Sequence, residues 1–190
     1  MGADLDVKRI LRQAEEHMKG AVEAARKALA TIRTGRANPA LLERVTVDYH
    51  GSPVPLTQLA SITVPEPRTL VIQPWDPGVL KEVERALLKS DLGVTPTNDG
   101  RLIRVVLPQL TEERRRELVR LARKEAEEKR VAVRNVRRDV NEEIKRLEKQ
   151  KEISEDEARR CQEQIQKLTD RYIAEIDRLL ESKEREIMEV

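Results

Sequence analysis

The sequence predicts an α+β protein: an elongated bundle of three long helices interrupted by a small inserted β/α/β domain. Three observations carry that reading. Both ends of the chain repeat apolar residues at steps of three and four, the spacing of one helix face. All nine prolines and four of the seven glycines lie within residues 36–110, so one block of turns and strands breaks the helical repeat. Aromatic residues make up 2% of the 190 residues, with no Phe, while charged residues make up 38%. Compact globules draw much of their core from aromatics, which leaves aliphatic helix seams as the source of burial.

The first helix is expected from about Asp4 to Thr34, with Val7, Ile10, Ala14, Met18, Ala21, Ala25, Leu29 and Ile32 on one seam and Leu11 and Val22 beside it. Gly35 reads as its C-cap, and Pro39 prevents continuation. The following block holds four β-type runs, Val45–Tyr49, Ser61–Val64, Thr69–Gln73 and Arg101–Leu107. Between the third and fourth runs, Asp76 and Pro77 form an N-cap with proline at the first helical position. They open a helix through Val79, Val83, Ala86 and Leu87 that stops near Leu92 and Gly93. Asn98-Asp-Gly100 then turns the chain into the last strand. Trp75, just before the N-cap, reads as packed between sheet and helix rather than stacked on a base.

The second long helix starts after Thr111, a good N-cap, with Glu112 and Glu113 favourably placed for the helix dipole. Its seam is Leu118, Ala122, Ala126, Val133, Val136, Val140, Ile144 and Leu147, with one gap spanned by Lys129. The third starts at Ser154, where Ser154 and Glu157 form a capping box. Its seam is Ala158, Cys161, Ile165, Leu168, Tyr172, Ile176, Leu179, Lys183 and Ile187. The first two helices flank the insertion and run antiparallel; the short link 151–153 brings the third back beside the second. The bundle domain is expected to hold residues 1–35 and 110–190, and the inserted domain 36–109. Two chain crossings join them, near Thr34–Pro39 and Leu107–Thr111.

The net charge of +2 hides a strong polarity: residues 114–138 hold eleven basic and four acidic residues, while 151–190 hold eight basic and twelve acidic. Within the second helix, Arg116, Arg120, Arg123, Arg130, Arg134 and Arg137 follow the same steps as the seam, displaced by roughly 100–200° around the helix. Such a row grips phosphates or makes interhelical salt bridges, and the acidic third helix supplies partners for the second possibility. The row is interrupted by one acid, Glu127, and arginine suits planar phosphate recognition; both weigh toward nucleic acid. A second basic cluster, Arg33 and Arg36, flanks the first crossing, with Arg114-Arg-Arg116 opening the second helix.

Other classes of chemistry find little support. The chain has no Gly-rich phosphate loop followed by Lys-Ser or Lys-Thr, no paired CxxC and no GxSxG. His17 and His50 lie in different domains and read as surface residues. Paired carboxylates such as Glu112/Glu113 and Glu142/Glu143 read as solvated faces or dipole support, and Cys161 reads as a small core residue. No apolar run approaches the roughly 20 residues of a membrane span, and the amino terminus carries no signal-peptide pattern. A cytoplasmic monomer without catalytic site, cofactor or metal is expected. An unrelated RNA-binding helix would leave the insertion unexplained, and a coiled-coil scaffold would leave the charge segregation unexplained.

The blocks Ile32-Arg-Thr-Gly-Arg-Ala37, Pro55-Leu-Thr-Gln-Leu-Ala-Ser-Ile62, Ser90-Asp-Leu-Gly93, Leu110-Thr-Glu-Glu-Arg-Arg115, Val131-Ala-Val-Arg-Asn-Val-Arg-Arg-Asp139 and Ile153-Ser-Glu-Asp156 together resemble the bacterial ribosome recycling factor family over nearly the whole chain. The resemblance implies an L-shaped three-helix bundle with an inserted β/α/β domain, similar in outline to tRNA. It implies a translation factor that binds the post-termination ribosome at the large subunit. Elongation factor G and GTP hydrolysis then drive subunit separation and release of mRNA and tRNA. By motif, the family's rRNA-facing arginines fall on Arg33, Arg36, Arg134, Arg137 and Arg138, to which the basic row adds Arg130. The hinge falls on Gly35 and Pro39 in one crossing and on Pro108, Gln109 and Leu110 in the other. Many relatives have two consecutive prolines where this chain has Pro108-Gln109.

Overall fold

The computed structural model describes residues 2–189, with side chains from Asp6 onward. The elements run in the order α1 (Gly2–Ala30), β1 (Thr46–Tyr49), β2 (Ser52–Pro55), β3 (Ala60–Glu66), β4 (Thr69–Pro74), α2 (Leu80–Lys89), β5 (Pro96–Asn98), β6 (Ile103–Val106), α3 (Glu112–Lys149) and α4 (Glu155–Met188). The chain divides into two compact units, one formed by residues up to Arg33 with Glu112–Glu189, the other by Thr34–Thr111.

The first unit is the bundle, and its core is aliphatic. Ile10, Ala14, Met18, Val22 and Ala25 of α1 meet Ala126, Val133, Val140, Ile144 and Leu147 of α3 and Ala158, Cys161, Ile165, Tyr172 and Ile176 of α4. The seams read from periodicity are the buried faces. The gap at Lys129 is a half-buried position, and Thr169, off the expected seam, is buried with its hydroxyl donating to the Ile165 carbonyl at 2.7 Å. Burial raises the Cys161 thiol to about 11, so it packs as an unreactive apolar group. Ser154 caps α4, its Oγ accepting from the Glu157 amide at 3.1 Å. Helix α1 stops four residues short of the expected Thr34: the Thr31 hydroxyl donates to the Ala28 carbonyl at 2.7 Å and satisfies a terminal acceptor. Gly35 therefore lies beyond the helix end, at φ +77°.

The second unit holds a β1–β2 hairpin and an antiparallel four-stranded sheet in the order β3-β4-β6-β5. Leu70 pairs with Val105 and Ile72 with Ile103, and these four side chains face a core shared with Val83 and Leu87 of α2. The expected N-cap is present, Asp76 Oδ1 accepting from Gly78 N at 2.9 Å, although the chain makes a 3-10 turn over Pro77–Val79 before α2 begins. Helix α2 ends at Lys89, ahead of the expected Leu92-Gly93, because Ser90 turns back and donates its hydroxyl to Leu87 O at 2.6 Å. The turn at Asn98–Gly100 forms as expected, with Asp99 accepting from the Arg101 and Leu102 amides, both at 2.9 Å. Strands β2 and β5 add to the four expected runs.

Trp75 corrects the sequence reading. It is 67% exposed rather than packed between sheet and helix. Strand β4 buries Leu70, Ile72 and Pro74, so residue 75 falls on the opposite phase of the alternation.

A polar tie at the edge of the bundle core joins α4 to α1. The Tyr172 ring is 2% exposed, and its hydroxyl donates to Glu15 Oε2 at 2.7 Å. Burial first, and Glu15 second, push the Tyr172 pKa up to about 12. The raised pKa means that the unfolded chain releases this proton first. The tyrosine's contribution is therefore complete below about pH 10 and lost as pH rises toward 12. Tyr172→Phe is expected to lower stability at pH 7 by about 1 kcal/mol. It is also expected to flatten the fall between pH 10 and 12, as followed by thermal melts of both proteins across that range.

Candidate nucleic-acid interface

Helix α3 buries Leu118, Ala122, Ala126, Val133, Val140, Ile144 and Leu147. A residue one or two positions from such a seam flanks the core, its aliphatic stem packed and its head at the surface. That placement sets the basic row beside α4, which runs antiparallel to α3, so partners recur seven residues apart along both helices. Arg123 Nε donates to Glu184 Oε1 at 2.7 Å, and Arg130 Nε donates to Asp177 Oδ1 at 2.6 Å. At the third step α4 carries Asp170, but the arginine meets an amide instead: Arg137 Nη1 donates to Gln166 Oε1 at 3.4 Å. Gln166 in turn donates to Asp170 Oδ1 at 2.9 Å, so the acid at this step is engaged by a neutral group.

The ladder divides the row. Arg123 is fixed to α4, and Glu184 raises its pKa. Arg130 is held most firmly, its side chain 17% exposed and gripped by both Asp177 and Glu127. Burial opposes its charge, and the two carboxylates outweigh burial, so its pKa is raised. Arg134 is 42% exposed and donates from Nη1 to Glu127 Oε1 at 3.0 Å. Arg116 pairs with Glu112 at 2.7 Å on its own helix. Further along the row the pairing is longer: Arg138, 64% exposed, lies 3.8 Å from its neighbour Asp139. Interhelical salt bridges thus account for Arg123 and Arg130, while Arg116 and part of Arg134 are paired within α3. Within the stretch from Arg134 to Arg138, no carboxylate of α4 among the described residues is paired with an arginine; Arg120, nearer the start of the helix, is likewise exposed.

The remaining candidates lie elsewhere. Arg33 is exposed at the end of the first unit, and Arg36 is exposed in the second. Within the second unit, a Cβ on Gly35 would meet the Pro108 carbonyl oxygen at 3.4 Å and Leu110 Cγ at 3.5 Å. The two strands of the crossing therefore touch at a residue whose φ of +77° suits glycine. Pro39 opens a 3-10 turn capped by Asn38, whose Oδ1 accepts from Ala40 N at 2.9 Å. Gln109 follows Pro108 in irregular backbone. Both histidines are exposed. Among the described residues no group of three His, Cys, Asp or Glu side chains is arranged to hold a metal, and no helix is long and apolar enough to cross a membrane.

The model of the family described as ribosome recycling factor matches residues 25–188. The ribosome-recycling factor of Heliobacterium modesticaldum is 60% identical over 97% of this chain and 100% of its own length. That of Carboxydothermus hydrogenoformans is 58% identical over 95% of this chain and 98% of its own.

The chain belongs to the ribosome recycling factor family.

Solved structures of ribosome recycling factors agree with the fold. A solution structure of one is 51% identical, with a TM-score of 0.69, over 97% of this chain and 98% of its own. A second describes the T. thermophilus ribosome recycling factor and the E. coli elongation factor G bound to the E. coli post-termination complex; it is 48% identical with a TM-score of 0.61, over 96% of this chain and 99% of its own. The family's motif residues on α3 therefore lie on a helix whose basic flank is partly engaged by α4.

That division predicts unequal stability effects along one row. Arg130→Ala is expected to cost about 1–2 kcal/mol, since it removes a largely buried group and leaves Asp177 and Glu127 without it. Arg138→Ala is expected to stay within about ±0.5 kcal/mol, as for an ordinary surface position. Urea unfolding of the two variants, compared through their midpoints at equal slope, checks the ordering.

Proposed function

We propose that this chain recycles ribosomes as its relatives are named for doing. In this reading it binds the post-termination ribosome and faces large-subunit rRNA with the distal basic end of α3. Elongation factor G, using GTP, then drives apart the subunits and releases mRNA and tRNA. The chain works in the cytoplasm as a monomer, with no catalytic step, cofactor or metal of its own. The observation that carries this is the 48%-identical relative described with elongation factor G on a post-termination complex, which matches 96% of this chain.

The charge geometry supports the choice of contact residues. Arg134, Arg137 and Arg138 retain donors that α4 does not occupy, and Arg33 and Arg36 are exposed. We assign phosphate contacts to these five. Arg130 serves the same surface from behind, by fixing Glu127 and the α3–α4 spacing. The hinge is assigned to Gly35 and Pro39 on one crossing and to Pro108, Gln109 and Leu110 on the other. Gly35 sits at φ +77°, a backbone conformation that strains any residue with a side chain.

Arg137 is the decisive test. It meets a neutral amide at 3.4 Å, so Arg137→Ala should leave stability within about ±0.5 kcal/mol. Loss of a charged donor to phosphate should weaken binding to isolated large ribosomal subunits by about 1.5–3 kcal/mol, roughly 10–150-fold. Lysine at the same position should restore only part, because the planar fork is absent. Cosedimentation of parent and variants reads the effect, with Glu128→Ala as an exposed control. If Arg137→Ala melts several degrees lower yet binds like the parent, the residue is a structural strut and the assignment fails.

A further inference from the structure

One acid interrupts the basic row of α3, and its contacts give it a specific role. Glu127 divides its two carboxylate oxygens between two arginines: Oε2 accepts from Arg130 Nη1 and Oε1 accepts from Arg134 Nη1, each at 3.0 Å. We propose that Glu127 is a specificity-determining residue of this surface, a built-in anion in the place of a phosphate, so that RNA reaches Arg134 only by displacing it. The proposal rests on the phosphate-binding reading of the α3 face.

The two arginines that share this carboxylate are held differently. Arg130 is also anchored to Asp177 at 2.6 Å and is 17% exposed, so it stays in place whether or not Glu127 is charged. Arg134 is 42% exposed, and its ion pair is with Glu127, two helical turns away. Side chains on a helix lean toward its amino terminus, which draws Arg134 back over Glu127. The carboxylate is itself 53% exposed. Exposed ion pairs are individually weak, so exchanging this carboxylate for a phosphate at Arg134 is a modest step. Arg130 and then Arg134 hold the Glu127 pKa below the usual carboxylate range, so the competing charge persists at neutral pH.

The consequence is selectivity. A carboxylate within a basic surface repels every polyanion that approaches. A flexible RNA gains little by pushing Glu127 aside. A folded rRNA that presents phosphates to Arg137 and Arg138 at the same time recovers that loss through the other contacts. Glu127 thus lowers affinity for RNA in general more than affinity for a matched surface.

Glu127→Gln in the full-length protein tests this, since the amide keeps the shape and an acceptor oxygen but removes the charge. Binding is measured across a range of salt to two probes, polyuridylate and isolated large ribosomal subunits, with Glu128→Gln as control. The variant should bind polyuridylate about three- to tenfold tighter, the scale of one partly screened charge pair. Its log–log salt slope should become more negative by about 0.7–0.9. Binding to subunits should tighten less, so the preference for subunits falls, and the melting temperature should hold within a few degrees because the Arg130–Asp177 pair remains. In an Arg134→Ala background, Glu127→Gln should tighten polyuridylate binding clearly less than in the parent, because only the general repulsion is relieved; an equal gain overturns the competition at Arg134. Equal or weaker polyuridylate binding by a normally melting Glu127→Gln overturns the proposal and makes Glu127 a positioning residue for Arg134. A parent protein whose subunit binding ignores salt overturns the phosphate-binding reading itself. A steep parent slope that Glu127→Gln leaves unchanged overturns this inference alone.

Discussion

The structure depends on the antiparallel contact between α3 and α4. Helix α3 must bury an apolar seam and carry a dense row of arginines beside it, and like charges at steps of three and four repel one another. Helix α4 resolves the conflict by presenting acids at matching seven-residue steps. Glu184 meets Arg123 at 2.7 Å and Asp177 meets Arg130 at 2.6 Å. At the next step Asp170 is bonded by Gln166, and Arg137 reaches that amide only at 3.4 Å. The same contact that stabilises the bundle therefore decides which charges remain for a partner.

This arrangement links folding to recognition. The paired arginines tie α3 to its neighbour, and the bundle core gives the exposed guanidinium groups a packed support. Tyr172 adds the tie to α1 through Glu15. Met18, Ala25, Ala126, Val133 and Ile165 pack between the helices without polar atoms that need partners. Side chains anchored on such a frame lose less freedom on binding than they would on a loop, which favours affinity per contact.

Much of the fold was legible in the sequence because helical periodicity is local. The seams of α1, α3 and α4, the Ser154 cap and the Asn98–Gly100 turn all follow from residues within a few positions of one another. Strands β2 and β5 were not legible. Ser52–Pro55 carries two prolines, Pro96–Asn98 is three residues long, and each becomes a strand only through its pairing with β1 or β6. The exposure of Trp75 could have been read from the alternation that buries Leu70 and Ile72. At the candidate site, the basic row was plain, but its division was not. Arg123 and Arg130 find acids 61 and 47 residues away. Their identity follows only once the antiparallel register of α3 against α4 is fixed. The matched seven-residue spacing of Arg123 and Arg130 against Glu184 and Asp177 was the available signal.

The central claim is that a defined subset of arginines, Arg33, Arg36, Arg134, Arg137 and Arg138, meets phosphate on the ribosome. The salt dependence of binding to isolated large ribosomal subunits tests it most directly, because counterion release counts the phosphates neutralised. With Arg33, Arg36, Arg134, Arg137 and Arg138 engaged, the log–log slope should be about −3.5 to −4.5, taking nucleic-acid values as the guide. A slope near zero would contradict the account and leave the row to salt bridges within the bundle.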